Sequence, residues 1–251
     1  MLLTADIGNT NITLGIFEHD RYINEFRLAS DRDLSGEEYE ILLKSLFKDY
    51  KIHGCVIASV VEELNVKFKR AVDNVFNIKS VFVAHDVNLN VKIKTDNPKE
   101  VGADRIANAV AVADRYNCAV IVIDFGTATS FDIVNSKGEF LGGVIAPGIN
   151  TQMKCLNKST SKLPKIDVSI SQNAIGHNTT DAILSGVIRG TACMDDGLIA
   201  QCEAELGEKA TIVATGGLSK CIIENCKHDI IYDKDMLLRG LWLLWEKHKN
   251  D

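Results

Sequence analysis

Hydrophobic positions along the chain switch repeatedly between two patterns. Residues 2–4 begin a short apolar strand that stops at Asp6, and residues 12–17 and 22–28 alternate as a returning hairpin. Ser35-Gly36-Glu37-Glu38 then reads as a helix entry, with a capping residue and acids in the first turn. Tyr39, Leu42, Leu43, Leu46 and Phe47 follow at helical spacing. Residues 55–61 are continuously apolar, as in a strand covered on both faces. The pattern predicts a helix over 62–76, a strand over 80–84, and a break at Asp96-Asn97-Pro98, where proline holds its predecessor extended. A helix beginning near Gly102 and ending near Tyr116-Asn117 comes next.

Residues 119–123 form a second buried strand, and the opening pattern then returns. Asp6-Ile7-Gly8-Asn9-Thr10-Asn11 is echoed by Asp124-Phe125-Gly126-Thr127-Ala128-Thr129, 118 residues later, and each copy is followed by a hairpin-like pair of runs. A repeat of half the chain predicts two related lobes, 1–117 and 118–251. Strands mixed with helices make the class α/β. In the second half, a short helix is expected over 150–156, a polar irregular stretch over 157–171 and a helix over 179–194. A strand over 211–214 leads through Thr215-Gly216-Gly217-Leu218 to another helix, and a last helix spans 237–248.

Composition narrows the function classes. The formal charge is −6 and no Lys/Arg block stands out, so binding of nucleic acid through a basic face is disfavoured. No apolar run nears the ~20 residues of a membrane helix, and the chain starts without a signal-like segment. Seven cysteines, none in Cys-x-x-Cys, read as reduced core residues of a cytoplasmic protein. Six scattered histidines give no zinc pattern.

The chemistry lies in the glycine turns. There is no P-loop, no dinucleotide fingerprint and no nucleophile elbow. Asp6 is not followed two residues later by the second Asp of phosphoaspartate enzymes; that position is Gly8. Two Asp-x-Gly turns and a later Gly-Gly loop suit a nucleotide held between lobes. Backbone N–H groups and hydroxyls would hold phosphates, the aspartates would hold cations, and Gly216-Gly217 would let the nucleotide lie on the backbone. This arrangement is similar to that of the acetate kinase, sugar kinase, heat-shock ATPase and actin superfamily. It implies two ribonuclease H-like lobes (duplicated βββαβα units) with a nucleotide cleft between them.

Gly102-Ala103-Asp104-Arg105 supplies an acid beside a guanidinium at a helix start. That pair suits a second substrate, with the carboxylate accepting a hydroxyl proton and the arginine gripping an anion. Taken alone, the four residues better describe a helix-start Asp with a surface ion pair. The ordered set decides between them. The two Asp-x-Gly turns, Asp96-Asn97-Pro98 with Gly102–Arg105, Gly142-Gly143-Val144-Ile145-Ala146-Pro147-Gly148 and Ala214-Thr215-Gly216-Gly217 resemble type III pantothenate kinases over nearly the whole chain.

The resemblance implies ATP-dependent phosphorylation of pantothenate at the first step of coenzyme A biosynthesis, in a bacterial cytoplasm. It also implies a homodimer, Mg²⁺ and a monovalent cation, K⁺ or NH₄⁺. By position, Asp104 corresponds to the general base, and Gly102, Ala103, Asp104 and Arg105 to the pantothenate-contacting segment. Asp6, Ile7, Gly8, Asn9, Thr10, Asn11, Ile12 and Thr13 correspond to the ATP phosphate loop, with Thr127 as a second ATP contact. Asp124 corresponds to the monovalent-cation ligand and Thr179 to a pantothenate contact offered in some members across the dimer interface. One departure is Thr95, where some members carry a substrate-touching Tyr before Asp-Asn-Pro. A kinase for another small alcohol or acid, and a non-catalytic regulator of transcription, are the competing functions. Intact Asp6, Asp104 and Asp124 argue against the regulator, and Gly102–Arg105 against another acceptor.

Overall fold

The computed structural model describes residues 1–83, 91–159 and 173–249. They fall into two compact units: Met1–Lys92 with Asp96–Asp114 and Asp235–Asp251, and Ile93–Thr95 with Arg115–Lys234.

The first unit opens with β1 (Leu2–Ile7), β2 (Asn11–Glu18) and β3 (Arg21–Ala29), a meander. Helix α1 (Gly36–Leu46) starts at a capping box, with Ser35 accepting from the Glu38 N–H and Glu38 accepting from the Ser35 N–H. Then come β4 (Gly54–Ser59), parallel to β1, α2 (Glu62–Phe76) and the short β5 (Val81–Phe82). The sheet order is β3-β2-β1-β4-β5. The expected strand over 80–84 is therefore shorter, and Ala84 lies outside the described residues.

The second unit repeats the strand plan of the first. Before it, a two-residue strand β6 (Lys92–Ile93) spans the junction, and a 3₁₀ turn (Pro98–Glu100) and all of α3 (Ala103–Arg115) but its last residue belong to the first unit. After it come β7 (Val120–Phe125), β8 (Ala128–Val134), β9 (Glu139–Pro147), α4 (Ile149–Ser159) and α5 (Thr179–Leu184). A π-turn (Ser185–Arg189) leads into α6 (Gly190–Leu206), then β10 (Thr211–Thr215), α7 (Ser219–Ile223) and β11 (Ile230–Tyr232). The order β9-β8-β7-β10-β11 matches that of the first sheet, with β6 added beside β9. The expected helix over 179–194 is thus a longer helical run broken by a π-turn. The expected irregular stretch over 157–171 lies largely outside the described residues, and α4 runs through Ser159.

The expected boundary fails at the C-terminus. The last helix α8 (Met236–His248) belongs to the first unit rather than to a lobe over 118–251. The physical reason lies in β1, which is buried on both faces. Leu3, Ala5 and Ile7 face the core shared with α1 and α2, while Thr4 lies opposite Gly15, against which Leu238 packs. A sheet with two apolar faces needs two covering layers, and α8 lies on β1 and β4 to supply the second. Gly240 rests on the Ala107 carbonyl so closely that a Cβ would overlap it, bringing α8 onto α3.

The cysteine expectation holds for Cys55, which is buried, and for Cys202, Cys221 and Cys226, which are half-buried against the core of the second unit; Cys118, Cys155 and Cys193 are exposed, and no disulfide joins any of the seven. Among the described residues no helix is long and apolar enough to cross a membrane.

Candidate active site

In the first unit, Asp6 lies near the C-terminal end of β1, opposite Thr13 of β2 and Ala58 of β4. Alternation places it on the same sheet face as Thr4. The chain then turns tightly: the Gly8 N–H donates to the Asn11 carbonyl (3.0 Å), and Asn9, Thr10 and Asn11 are exposed. Ile7 and Ile12 are fully buried on either side and anchor the turn to the core. Two residues outside every sequence motif brace it. The Ser30 hydroxyl donates to the Gly8 carbonyl (2.5 Å), and the Arg32 guanidinium donates to Asn9 Oδ1 (3.2 Å). Both sit over 20 positions away, so no local pattern could reveal them.

Asp104 occupies the first turn of α3. The Gly102 carbonyl accepts the first helical bond from the Ile106 N–H (3.1 Å), and Asp104 Oδ1 accepts from the Arg105 N–H (2.8 Å). Asp104 and Arg105 are half-buried. Val60 brings this segment to the phosphate-type turn: its N–H donates to the Ile7 carbonyl (3.1 Å), and its Cγ1 lies 3.7 Å from where a Gly102 Cβ would stand. Asp6–Thr13 and Gly102–Arg105, 89 positions apart from Thr13 to Gly102, thereby share one neighbourhood.

The second unit reproduces the first turn. Asp124 lies opposite Ser130 of β8 and Thr215 of β10, the positions that match Thr13 and Ala58. The Gly126 N–H donates to the Ala128 carbonyl (2.9 Å). The Thr127 carbonyl accepts from the Gly148 N–H (3.1 Å) and the Thr151 hydroxyl (2.7 Å), so the start of α4 sits on this turn. Gly216, at φ +95, presses its Cα into the same place, where a Cβ would be 2.8 Å from Asp124 Oδ1 and 2.6 Å from the Phe125 carbonyl. Only glycine satisfies both the angle and the space.

Thr179 takes no part in these contacts. It is exposed at the start of α5, after Asn178, whose side chain accepts from the Asp181 N–H (2.9 Å). Thr95 lies beside β9, its methyl 3.8 Å from where a Gly142 Cβ would stand. Its hydroxyl is buried and has no hydrogen-bond partner among the described residues.

A model of the type III pantothenate kinase family matches residues 2–201. The chain belongs to that family. A type III pantothenate kinase of Myxococcus xanthus is 38% identical over 253 residues, covering 99% of each chain. One from Koribacter versatilis is 38% identical over 266 residues, covering 100% of this chain and 97% of the relative. Among solved structures, a protein of Campylobacter jejuni described as a Baf family transcriptional activator is similar at TM-score 0.62 and 24% identity, covering 99% of this chain and all of that one. A ROK hexokinase of Thermus thermophilus is similar at TM-score 0.55 and 11% identity, with 100% and 99% covered. At such identities these structures speak for the fold alone. They bear out the expected α/β class with two related sheets.

The donor set at Asp124 fits a hard cation: a carboxylate oxygen and the Phe125 carbonyl both face Gly216. Among the described residues there is no cluster of three or more His, Cys, Asp or Glu side chains that would hold a metal by itself. A cation there would complete its coordination with backbone oxygens, water or phosphate.

Proposed function

We propose that the chain transfers the γ-phosphoryl group of ATP to the hydroxyl of pantothenate, the first step of coenzyme A biosynthesis. The observation that carries this reading is the seating of Asp104. One carboxylate oxygen is held by the Arg105 N–H, and among the described residues the other makes no hydrogen bond, so it can accept one from a substrate hydroxyl. Phosphoryl transfer passes through a loose transition state, so the base works by orienting the nucleophile and taking its proton late. Fixing one oxygen aims the other. Arg105, next along the helix, offers a planar donor fork for the pantothenate carboxylate.

ATP phosphates would lie against Asp6–Thr13, with Thr127 as a further contact and the Gly216-Gly217 backbone against the nucleoside. The braces from Ser30 and Arg32 hold the turn, and Arg32, itself paired with Glu63 (3.7 Å), places a guanidinium beside it. Mg²⁺ with the nucleotide, and K⁺ or NH₄⁺ at Asp124, would offset phosphate charge. Thr179 would contact pantothenate, offered across a homodimer. Gly186 and Gly190 have open space where a side chain would stand, which leaves room for a second copy on that helical run. The setting would be the cytoplasm.

The test is an ATP-dependent assay of the purified chain with pantothenate against a panel of small hydroxy acids and sugars. Turnover confined to pantothenate is expected. Equal or better turnover of another acceptor, or none of any, would overturn the reading.

A further inference from the structure

A cavity of about 600 Å³ opens in the first unit at the end of the sheet away from the phosphate-type turn. β1 runs from Leu2, in its wall, to Ile7 at that turn, roughly 17 Å at 3.3–3.4 Å per residue. The walls are the β2–β3 turn, the starts of β1 and β4, and α8. They are aromatic and fixed. Trp242 stacks on Phe17 (6.1 Å, 24°), and the Arg239 guanidinium lies 4.5 Å over the Trp242 ring and donates to the Asp20 carbonyl (2.5 Å). Trp245 fits against Gly54 so tightly that no side chain could stand there.

The charges around this lining are mixed: the Glu18, Asp20 and Glu246 carboxylates stand with the Met1 and Lys249 ammonium groups, and the Arg239 guanidinium lies against Trp242. Glu246 is paired with Lys249 (2.9 Å), and the Met1 ammonium is bonded to the Lys51 carbonyl (2.9 Å). Glu18 and Asp20, both exposed on the turn, enter no ion pair among the described residues. The chain itself shows what the lining holds: Lys249 Nζ sits 5.7 Å over the Trp245 ring while bonded to Glu246. An ammonium between an indole face and a carboxylate gains from both.

We propose that this cavity binds a small organic cation with a flat apolar body, an arylalkyl ammonium or guanidinium, which displaces the Lys249 ammonium from Trp245 and is neutralised by Glu18 and Asp20. The volume suits a ligand of that size. The site is separate from the proposed kinase site.

Trp242 and Trp245 are the only tryptophans in the chain, so intrinsic fluorescence reports on the cavity directly. The full chain would be titrated with benzyltrimethylammonium, with benzyl alcohol as neutral probe and phenylacetate as anionic probe. A saturable change is expected for the cation, at an affinity well above that of either comparator. The double variant Glu18→Gln, Asp20→Asn should weaken cation binding roughly fivefold or more. Lys249→Ala should strengthen it roughly threefold by freeing the indole and Glu246. Pantothenate kinase turnover without probe should be unchanged in both, which separates this site from the proposed activity. Should the double variant melt early, Lys249→Ala and the three-probe comparison on the unaltered chain carry the test. The proposal is overturned by no saturable response to the cation, by equal affinity for a comparator, or by weaker binding in Lys249→Ala.

Discussion

The Asp104 carboxylate lies directly over the α-carbon of Gly102: a Cβ added at Gly102 would overlap Asp104 Oδ1. The glycine is the seat of the proposed base, and helix geometry and side-chain position are fixed together there. Gly102→Ala should push Asp104 off its bond to the Arg105 N–H without touching the phosphate-type turn. Asp104→Asn removes the proton acceptor in place and should cost kcat roughly 10²–10⁴-fold, about 3–5 kcal/mol. Gly102→Ala should lose a smaller part of that range. Steady-state kinetics with nucleotide calorimetry would check both; a loss of ATP binding before any loss of kcat would make Asp104 structural.

Gly216 and Asp124 predict a link between the nucleotide loop and the cation. Because a Cβ at Gly216 would stand 2.8 Å from Asp124 Oδ1, and φ is +95, Gly216→Ala must shift the loop, the carboxylate or both. Activity should depend on K⁺ or NH₄⁺ and fall away in Na⁺-only buffer. Gly216→Ala should raise the K⁺ concentration needed for half-maximal activity as well as the KM for ATP. Full activity of the parent chain in desalted Na⁺ buffer would remove the cation role from Asp124.

Asp195 should make the protein less stable as pH rises. It is fully buried in α6, and neither carboxylate oxygen has a hydrogen-bond partner among the described residues. Burial, with Asp196 alongside, pushes its pKa up to about 7. The folded state therefore holds a proton that the unfolded chain releases near pH 3.9. Between those two values folding binds a proton, so stability falls as pH rises toward 7 and then levels off. Asp195→Asn should flatten this slope and raise Tm at pH 8 relative to the parent. Chemical denaturation from pH 4 to 8 would check it, and parallel slopes in the two proteins would refute it.

Gly240→Ala should be destabilising even though alanine is the better helix former. A methyl group there overlaps the Ala107 carbonyl, so α8 must lift from α3. A loss of roughly 1–3 kcal/mol is expected for such overpacking. An unchanged or higher Tm would show that the two helices can separate without cost.

Much of this fold was readable because its signals are local. The alternation over 12–17 and 22–28, the continuous run at 55–61 and the Ser35 cap each report a nearest-neighbour preference, and β2, β3, β4 (ending at Ser59) and α1 formed there. The helix over 62–76 matched α2 to the residue. The Asp-x-Gly repeat located both turns, since the tight bend and the backbone exposure it gives are properties of a few adjacent residues. The site's supports were not readable. Ser30, Arg32, Val60 and Thr151 reach the turns only through folding, and nothing in their own neighbourhoods marks them. The cysteines divide: Cys55 is buried and Cys202, Cys221 and Cys226 pack against the second core, while Cys118, Cys155 and Cys193 are exposed, because apolar neighbours in sequence do not by themselves bury a position.

The sequence by itself determined the element types, the internal duplication and the identity of the candidate acids, because hydrophobic period, caps and glycine turns act over a few residues. Tertiary structure alone decided that α8 returns to the first unit, that Gly102 seats Asp104 and that Gly216 presses against Asp124. Each depends on which surfaces meet. β1 has two apolar faces and only one local helical layer to cover them, so the chain's last helix is drawn back across more than two hundred residues to bury the other.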